Sequence, residues 1–209
     1  MYDDVMQERR EGTHEEALTG RKFTEMGLSN VLNYHHLQYK GERVQRILVD
    51  EASAGDMVAL ITTGALSLDE KVERLRLFLE VTEGLADIHA KEYCVPDLKP
   101  DNVFLHETNG VRHAKLADFG GTAPKGSPLG ANTPEYAAPE TMYNKPISRA
   151  NDMWAMGTSL HNFFYGPKHR FDKQQKIAKK LGLQDLSPQQ LIDALFDSLY
   201  PLLQGFHRV

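Results

Sequence analysis

The sequence predicts an α+β fold with a small front part of one helix and short antiparallel strands, followed by a larger, mainly helical part. Two strand-like runs, 31–39 and 44–49, are separated only by Lys40-Gly41-Glu42, a connection typical of a hairpin. Further along, a Ser-Leu-Asp-Glu capping box at 67–70 precedes a long segment with helical periodicity. Strands therefore come first and long helices later, which favours an α+β class.

Composition narrows the class of protein further. The 209 residues are 41% hydrophobic and 25% charged, which is ordinary for a globular protein, and the net charge of -5 argues against nucleic acid as a partner of the whole chain. A single cysteine, Cys94, excludes an internal disulfide and a cysteine-based zinc cluster. No apolar run reaches membrane-spanning length, and the first residues lack a secretory pattern. We therefore expect a reducing, cytoplasmic location.

The front part begins with a polar stretch, 1–15, which we interpret as a helix end or a flexible start. A helix is predicted over 14–28, although its apolar positions Leu18, Phe23 and Met26 form an imperfect stripe. The two strands of the hairpin follow.

The capping box at Ser67 and Glu70 predicts that a long helix begins there and continues to His89. The apolar face expected for this helix consists of Leu75, Phe78, Leu79, Leu85 and Ile88.

Two further helices are predicted in the second half of the chain. Apolar residues occupy more than one face of the segment 148–165, so this helix should be buried, and Gly166-Pro167 should end it. Ser187-Pro188 opens another helix. Its expected buried stripe is Leu191, Ile192, Leu195, Phe196 and Leu199.

The residues that could act on a phosphate are concentrated in 97–120. Asp97-Leu98-Lys99-Pro100-Asp101-Asn102 precedes one apolar run, and Asp118-Phe119-Gly120 follows a second. Asn109-Gly110 between the runs accepts positive φ and predicts a hairpin that brings both ends together. Oxygen ligands such as Asn102 and Asp118 suit a hard cation, Lys99 supplies a point charge, and Asp97 could orient a hydroxyl. These groups meet the needs of phosphoryl transfer from a nucleotide triphosphate.

The order of these residues resembles the catalytic core of eukaryotic-type protein kinases. Ala138-Pro139-Glu140 is similar to the end of a kinase activation segment, and 152–157 fits Asp-x-Trp-x-x-Gly. The resemblance implies a protein-kinase-like bilobal fold, with a reduced N-lobe in 1–50 and a mainly helical C-lobe in 51–209. It also implies that ATP and Mg²⁺ are cofactors and that Asp152 ties the catalytic loop to a central helix. Lys99 and a substrate-facing Thr133 resemble kinases that act on serine or threonine of a protein.

The segment 49–57 looks like a kinase hinge, the chain that crosses beside the adenine. By that resemblance Val49 is the gatekeeper, the backbone of Asp50, Glu51 and Ala52 bonds the adenine edge, and Asp56 reaches the ribose. An alternative reading of Asp56 is a helix entry, where a carboxylate complements the helix dipole.

The chain also departs from the kinase pattern. It contains no Gly-x-Gly-x-x-Gly loop and no Val-Ala-x-Lys strand, so either the sequence begins inside the domain or the small lobe is pared down. Glu15 and Glu16 are both candidates for the helix glutamate that would pair with such a lysine. Val95-Pro96 replaces the usual His-Arg, and proline cannot receive a phosphorylated loop.

Three functions remain open on these grounds. The first is an ATP-dependent Ser/Thr protein kinase, of a minimal outline similar to bacterial effector kinases that are secreted into host cells. The second is a pseudokinase that binds a partner without turnover, and the third is transfer of another group by a kinase-like site. A basic run is either an anion-binding patch or a solvated helix face. It comprises Lys168, Arg170, Lys173, Lys176, Lys179 and Lys180.

Overall fold

The computed structural model describes residues 8–10, 14–61, 66–130, 132–138, 140–141 and 146–165. Its secondary structure confirms the predicted α+β class, with strands concentrated in the front part and in one later hairpin. Strand β1 (Glu8–Arg10) is followed by helix α1 (His14–Glu25), which confirms the predicted first helix.

A three-stranded antiparallel sheet forms from β1, β2 (Tyr34–Lys40) and β3 (Arg43–Val49), in the order β1-β3-β2. The predicted hairpin is confirmed, and Gly41 supplies its turn with a φ of 64°. The reading of 1–15 as a helix end or flexible start was wrong at β1, whose Arg9 pairs with Ile47. A three-residue edge strand is held by backbone hydrogen bonds to its neighbour, so its side chains need not alternate visibly.

Helix α2 (Leu68–Ala90) begins at the predicted capping box, in which Ser67 and Glu70 bond each other's backbone amides. Its expected apolar face was partly wrong, because Leu75 and Leu79 are 56% and 57% exposed. The core lies instead against a face rotated from that stripe. The buried residues of this face are Arg74, Leu77, Phe78, Val81, Gly84, Leu85 and Ile88.

Two short strand pairs and a last described helix complete this part. Strand β4 (Tyr93–Cys94) pairs with β7 (Ala123–Pro124), and β5 (Val103–Thr108) pairs with β6 (Val111–Leu116). Helix α3 (Arg149–Tyr165) confirms the helix predicted over 148–165. It buries Ala155, Met156 and Phe163, whereas Met153 is 55% exposed.

The front part is joined to the β5–β6 hairpin by backbone hydrogen bonds. Leu32 donates to the carbonyl of Leu116 at 2.8 Å, and Leu116 donates to that of Asn30 at 2.8 Å. One hydrophobic core runs through both parts and includes residues of α1, β3, α2, β5, β6 and α3. Among the described helices, none is both long and apolar enough to cross a bilayer.

Several sequence predictions fall outside the described residues. These are Pro139, the stop at Gly166-Pro167, the helix from Ser187 with its stripe, and the basic run from Lys168 to Lys180.

Candidate active site

The predicted hairpin between the two halves of the site is present. Its turn residues Asn109 and Gly110 have φ values of 54° and 77°, and Val103 pairs with Leu116 across the ladder. The Ala117 amide donates to the Asn102 carbonyl at 2.9 Å. Asn102 therefore lies beside the residue that precedes Asp118, so the hairpin brings the two motifs together.

Asp97, Lys99 and Thr133 form one hydrogen-bonded chain. The Lys99 ammonium donates to Asp97 Oδ2 at 2.8 Å and to Thr133 Oγ1 at 2.7 Å. The Lys99 and Asp97 side chains are only 20% and 23% exposed, so water screens their ion pair less than it would at the surface. The second oxygen of Asp97, Oδ1, has no hydrogen-bond partner among the described residues. This oxygen is buried, so one acceptor position of the carboxylate is unfilled but closed to solvent.

The side chain of Asn102 is anchored through its nitrogen. Nδ2 donates to the Asp97 carbonyl at 2.9 Å and lies 3.4 Å from Asp97 Oδ2. Because the nitrogen is used internally, the side-chain oxygen of this 6% exposed residue remains as an acceptor or ligand.

Asp118 stands in an uncommon backbone conformation, with a φ of 57°. Left-handed φ values are rare for residues other than glycine, although Asp and Asn tolerate them best. The next residue, Phe119, is 1% exposed and its ring packs edge-on against Phe23 at 5.1 Å between centroids. The buried phenylalanine therefore fixes the backbone on one side of Asp118.

The side-chain oxygens of Asn102 and Asp118 suit a metal ion that also binds phosphate oxygens. No group of three or more His, Cys, Asp or Glu side chains that could hold a metal occurs in the part of the chain that the structure describes. Mg²⁺ needs no such cage, because it usually takes one or two protein oxygens together with phosphate oxygens and water. Asn102 and Asp118 supply such oxygens.

Asp152 of α3 is hydrogen-bonded to the start of the segment that resembles a catalytic loop. This fully buried carboxylate accepts the Val95 amide at 2.8 Å and the His89 imidazole at 2.7 Å through the same oxygen. The link from α3 to the loop that the kinase resemblance implied is therefore present. The sequence reasoning missed His89, whose only signal was its place in the last turn of α2.

Burial and the nearby Asp152 charge raise the pKa of the Cys94 thiol to about 11.

Asp50, in the segment that resembles a kinase hinge, has its side chain turned inward. Its Oδ2 accepts from the Asn33 side chain at 2.9 Å and from Lys115 at 2.6 Å, and its Oδ1 lies 2.6 Å from His35 Nε2. Burial opposes ionisation of this carboxyl, but the hydrogen bonds from Lys115 and His35 outweigh burial and lower the pKa of Asp50. The Asp50 side chain is therefore part of the scaffold.

The backbone of the hinge is partly committed to internal bonds. The Asp50 amide donates to Asn33 and the Ala52 carbonyl accepts from Gly55. The Asp50 carbonyl, both backbone groups of Glu51 and the Ala52 amide take part in no backbone hydrogen bond among the described residues.

Val49 and Glu51 differ in burial. Val49 is 2% exposed, while Glu51 is exposed to solvent. Asp56 caps the short 3-10 turn Met57–Leu60 by accepting the Ala59 amide at 3.2 Å, which favours the reading of Asp56 as a helix-entry residue.

Of the two candidate helix glutamates, the structure turns one inward. Glu16 is 5% exposed and accepts the Tyr34 hydroxyl at 3.0 Å, whereas Glu15 is exposed.

The segment after Asp118 is bonded to neighbouring elements at several points. Its strand β7 pairs with β4, and Lys125 lies 3.7 Å from the Glu92 carboxylate. Farther along, Glu140 accepts from Asn151 of α3 at 2.9 Å.

Comparisons with known proteins identify similar sequences and a similar fold. A family model described as the protein kinase domain matches residues 5–199. The human serine/threonine-protein kinase D3 is 32% identical over 142 residues, which is 62% of this chain and 16% of that protein. The Caenorhabditis briggsae serine/threonine-protein kinase dkf-2 is 34% identical over 138 residues, 60% of this chain and 11% of that protein. The chain thus spans less than a fifth of the length of either relative.

Among solved structures, the Cydia pomonella granulovirus kinase PK-1 has a similar fold. The TM-score is 0.60 with 16% sequence identity, and the match covers 76% of this chain and 60% of that one. At this identity the likeness concerns the fold alone.

Proposed function

The chain belongs to the protein kinase family, and we propose that it transfers the γ-phosphate of ATP to a serine or threonine hydroxyl of a protein substrate. The observation that carries the proposal is the chain of bonds from Asp97 through Lys99 to Thr133, at 2.8 Å and 2.7 Å. An acceptor hydroxyl beside Thr133 would meet a carboxylate and a cation already held in place, and such positioning is the larger part of phosphoryl-transfer catalysis.

We assign Asp97 the role of orienting the acceptor hydroxyl and accepting its proton. Its Oδ2 is used by Lys99, and its Oδ1 is without a partner among the described residues. Lys99 would place its positive charge near the phosphate in transfer. Because Lys99 also bonds Thr133, that charge is fixed in position before a substrate arrives.

Asn102 and Asp118 would hold Mg²⁺ through their side-chain oxygens. When bound, the metal would supply charge neutralisation to the β- and γ-phosphates. Asn102 is preorganised for this, since its amide nitrogen is anchored to Asp97 and its oxygen is left over.

The adenine edge would bond the backbone of the segment 50–52, where the Asp50 carbonyl, both backbone groups of Glu51 and the Ala52 amide are available. Val49, buried at the end of β3, would close the back of that site as gatekeeper. Asp56 keeps a role at the ribose only if its carboxylate can bond a ribose hydroxyl while it caps the 3-10 turn.

The experiment is a radiolabel transfer assay on a protein extract, with wild type, Asp118→Asn and a control, Asp69→Asn, at the exposed start of α2. Asparagine tolerates the left-handed backbone of position 118, so Asp118→Asn removes the ligand charge with little strain. We expect transfer to fall roughly thousandfold in Asp118→Asn and to be unchanged in the control. Transfer by folded Asp118→Asn at the wild-type rate would refute the metal assignment.

A pseudokinase is the second candidate, because the 209 residues contain neither a glycine-rich loop nor a Val-Ala-x-Lys strand. Without those groups Mg²⁺ must neutralise most of the phosphate charge, so ATP binding should be weak and strongly magnesium-dependent. Calorimetry with and without EDTA tests this point. Magnesium-dependent binding without transfer to any protein would favour the pseudokinase.

A further inference from the structure

Helix α2 carries a row of large apolar residues on the side turned away from the core. We call this row the α2 stripe. Each member is more than half exposed, and the members are Leu68, Val72, Leu75 and Leu79. At 3.6 residues per turn they lie within about 60° of one another around the helix axis, and the buried residues of α2 are centred about 140° away. A contiguous exposed apolar row of this kind marks an interaction surface more often than a single exposed side chain does.

The spacing of the α2 stripe is that of a coiled-coil seam. Successive members are four, three and four residues apart, which is the alternation by which two helices pack side by side. This spacing is also the same in both directions along the helix. A second, antiparallel copy of α2 would therefore set Leu68 opposite Leu79 and Val72 opposite Leu75, and each pair would occur twice. The stripe is thus complementary to itself, as a twofold-symmetric dimer requires.

Charged residues beside the stripe favour the antiparallel arrangement. Asp69 and Arg76 lie along one edge of the stripe, and Lys71 lies along the other. In an antiparallel pair of helices equivalent edges meet, so Asp69 of each copy would approach Arg76 of the other. A parallel pair would instead bring Lys71 of one copy beside Arg76 of the other, and like charges across an interface oppose association.

An open groove with a volume of about 320 Å³ lies beside the same edge, between α2 and the turn of the β5–β6 hairpin. Asp69 and Arg76 line this groove, and Val111 on its other side is 46% exposed. Glu80 holds Arg76 in place, with 2.7 Å between its carboxylate and the guanidinium. The groove leaves room for the charged side chains that a second copy would place beside Asp69 and Arg76.

We propose that the protein associates with a second copy of itself through the α2 stripe, with the two α2 helices antiparallel. The twofold axis passes between residues 73 and 74 of both copies. The proposal does not depend on the proposed kinase function, because no residue of the candidate active site belongs to the stripe. An interface built on one helix is at the small end for specific dimers, so we expect a dissociation constant on the order of 10 µM.

Sedimentation equilibrium of the whole chain from about 1 to 100 µM measures the association, for which we expect a monomer–dimer equilibrium in wild type. Leu75→Glu places a charge opposite Val72 of the other copy and should weaken association at least about 100-fold. The matched control is Leu18→Glu, the same change at an exposed leucine of α1, which should dimerise as wild type does. Circular dichroism verifies that both variants are folded.

A wild-type protein that stays monomeric at the highest concentration would overturn the proposal. Dimers of Leu75→Glu as strong as those of wild type would overturn it as well. A monomeric wild type whose melting temperature falls in Leu75→Glu would show that residues of the same chain cover the stripe, and this also contradicts association through a second copy.

Introduced cysteines test the antiparallel register, and they do not need Leu75→Glu to fold. The native Cys94 is buried, so the introduced cysteines are the accessible ones. Leu68→Cys and Leu79→Cys proteins are oxidised separately and as a mixture, and only the mixture should give disulfide-linked dimers.

The reason is distance, because two cysteines are bridged only when their Cα atoms lie within about 7 Å. In the antiparallel pair, position 68 of one copy lies about 16 Å along the axis from position 68 of the other. Cross-linking of Leu68→Cys alone would show a parallel pair and would overturn the proposed arrangement. A mixture that does not cross-link would exclude the stripe as the interface.

Discussion

The segment 95–102, which resembles a kinase catalytic loop, and the segment 49–57, which resembles a kinase hinge, each contain an aspartate that pairs with a lysine and is similarly shielded from solvent. Lys99 lies 2.8 Å from Asp97 and Lys115 lies 2.6 Å from Asp50, and both carboxylates are about one-fifth exposed. The two carboxylates differ in how many of their oxygens are already hydrogen-bonded. Both oxygens of Asp50 are taken, by Asn33, Lys115 and His35, whereas Asp97 keeps one oxygen without a partner among the described residues.

An unfilled oxygen does not by itself mark a reactive carboxylate, since Oδ1 of the buried Asp152 also has no partner among the described residues. Asp97 differs from Asp152 in its position beside Lys99 and Thr133. A saturated carboxylate can only lose bonds on substitution, so its removal should affect stability. A carboxylate with a spare acceptor can take a proton or a hydroxyl from a substrate, so its removal should affect rate. Residue type and pairing with lysine are the same in both regions, and the number of filled acceptor positions distinguishes them.

The largest expected effect is on rate at Asp97. Asp97→Asn keeps the size of the side chain but removes its charge and its basicity, so transfer should fall by about 10²–10⁴-fold. The free energy of unfolding should fall by less than in Asp50→Asn, because Asp97 loses its ionic bond to Lys99 alone, whereas Lys115 and His35 both bond Asp50. Transfer assays together with urea unfolding measure both quantities. A large loss of stability with normal transfer by the folded fraction would reverse the contrast drawn between the two aspartates.

The reciprocal substitution, Asp50→Asn, should reduce stability. It leaves Lys115, 26% exposed, without its ionic partner, and we expect unfolding to become about 1–3 kcal/mol easier. The rate per folded molecule should stay within twofold of wild type. Urea unfolding gives the first value, and transfer assays at low temperature, where the variant remains folded, give the second.

A smaller effect is expected on the loss of folding stability at low pH. Because the pKa of Asp50 is lowered from its usual 3.8, its ionised form stabilises the fold above that value, and this contribution is lost as the pH falls through the lower folded-state pKa. Unfolding measured from pH 5 down to pH 2 should show a shallower loss of stability in Asp50→Asn than in wild type. Parallel curves would show that the contacts of Asp50 do not depend on its charge.

The smallest expected effect is that of phosphatase treatment. Pro96 stands before Asp97 where an arginine would receive a phosphate, and the loop after Asp118 is already fastened through the β4–β7 pair and Glu140. Transfer should therefore change by less than twofold when phosphates on Thr122, Ser127 or Thr133 are removed. A tenfold loss, about 1.4 kcal/mol of barrier, would show that another cation takes the place of the arginine.

Local sequence signals predicted the elements that depend on local physics. The capping box at Ser67, the glycine turns at Gly41 and Gly110, and the helical periodicity of 149–165 reflect bonds within a few residues. The motif order around Asp97 and Asp118 likewise predicted the hairpin that brings their neighbours together, because a two-residue turn leaves the chain little choice.

Long-range packing decided the rest. Which face of α2 is buried depends on neighbours distant in sequence, and the exposed Leu75 and Leu79 are as apolar as the buried Leu77. The choice of Glu16 over Glu15 depends on a tyrosine 18 residues away, and the inward turn of Asp50 depends on Lys115, 65 residues away. The sequence by itself thus determined the types of residue that meet phosphate and metal. Only the tertiary structure decided which carboxylates are saturated, because hydrogen-bond partners are counted in space and not along the chain.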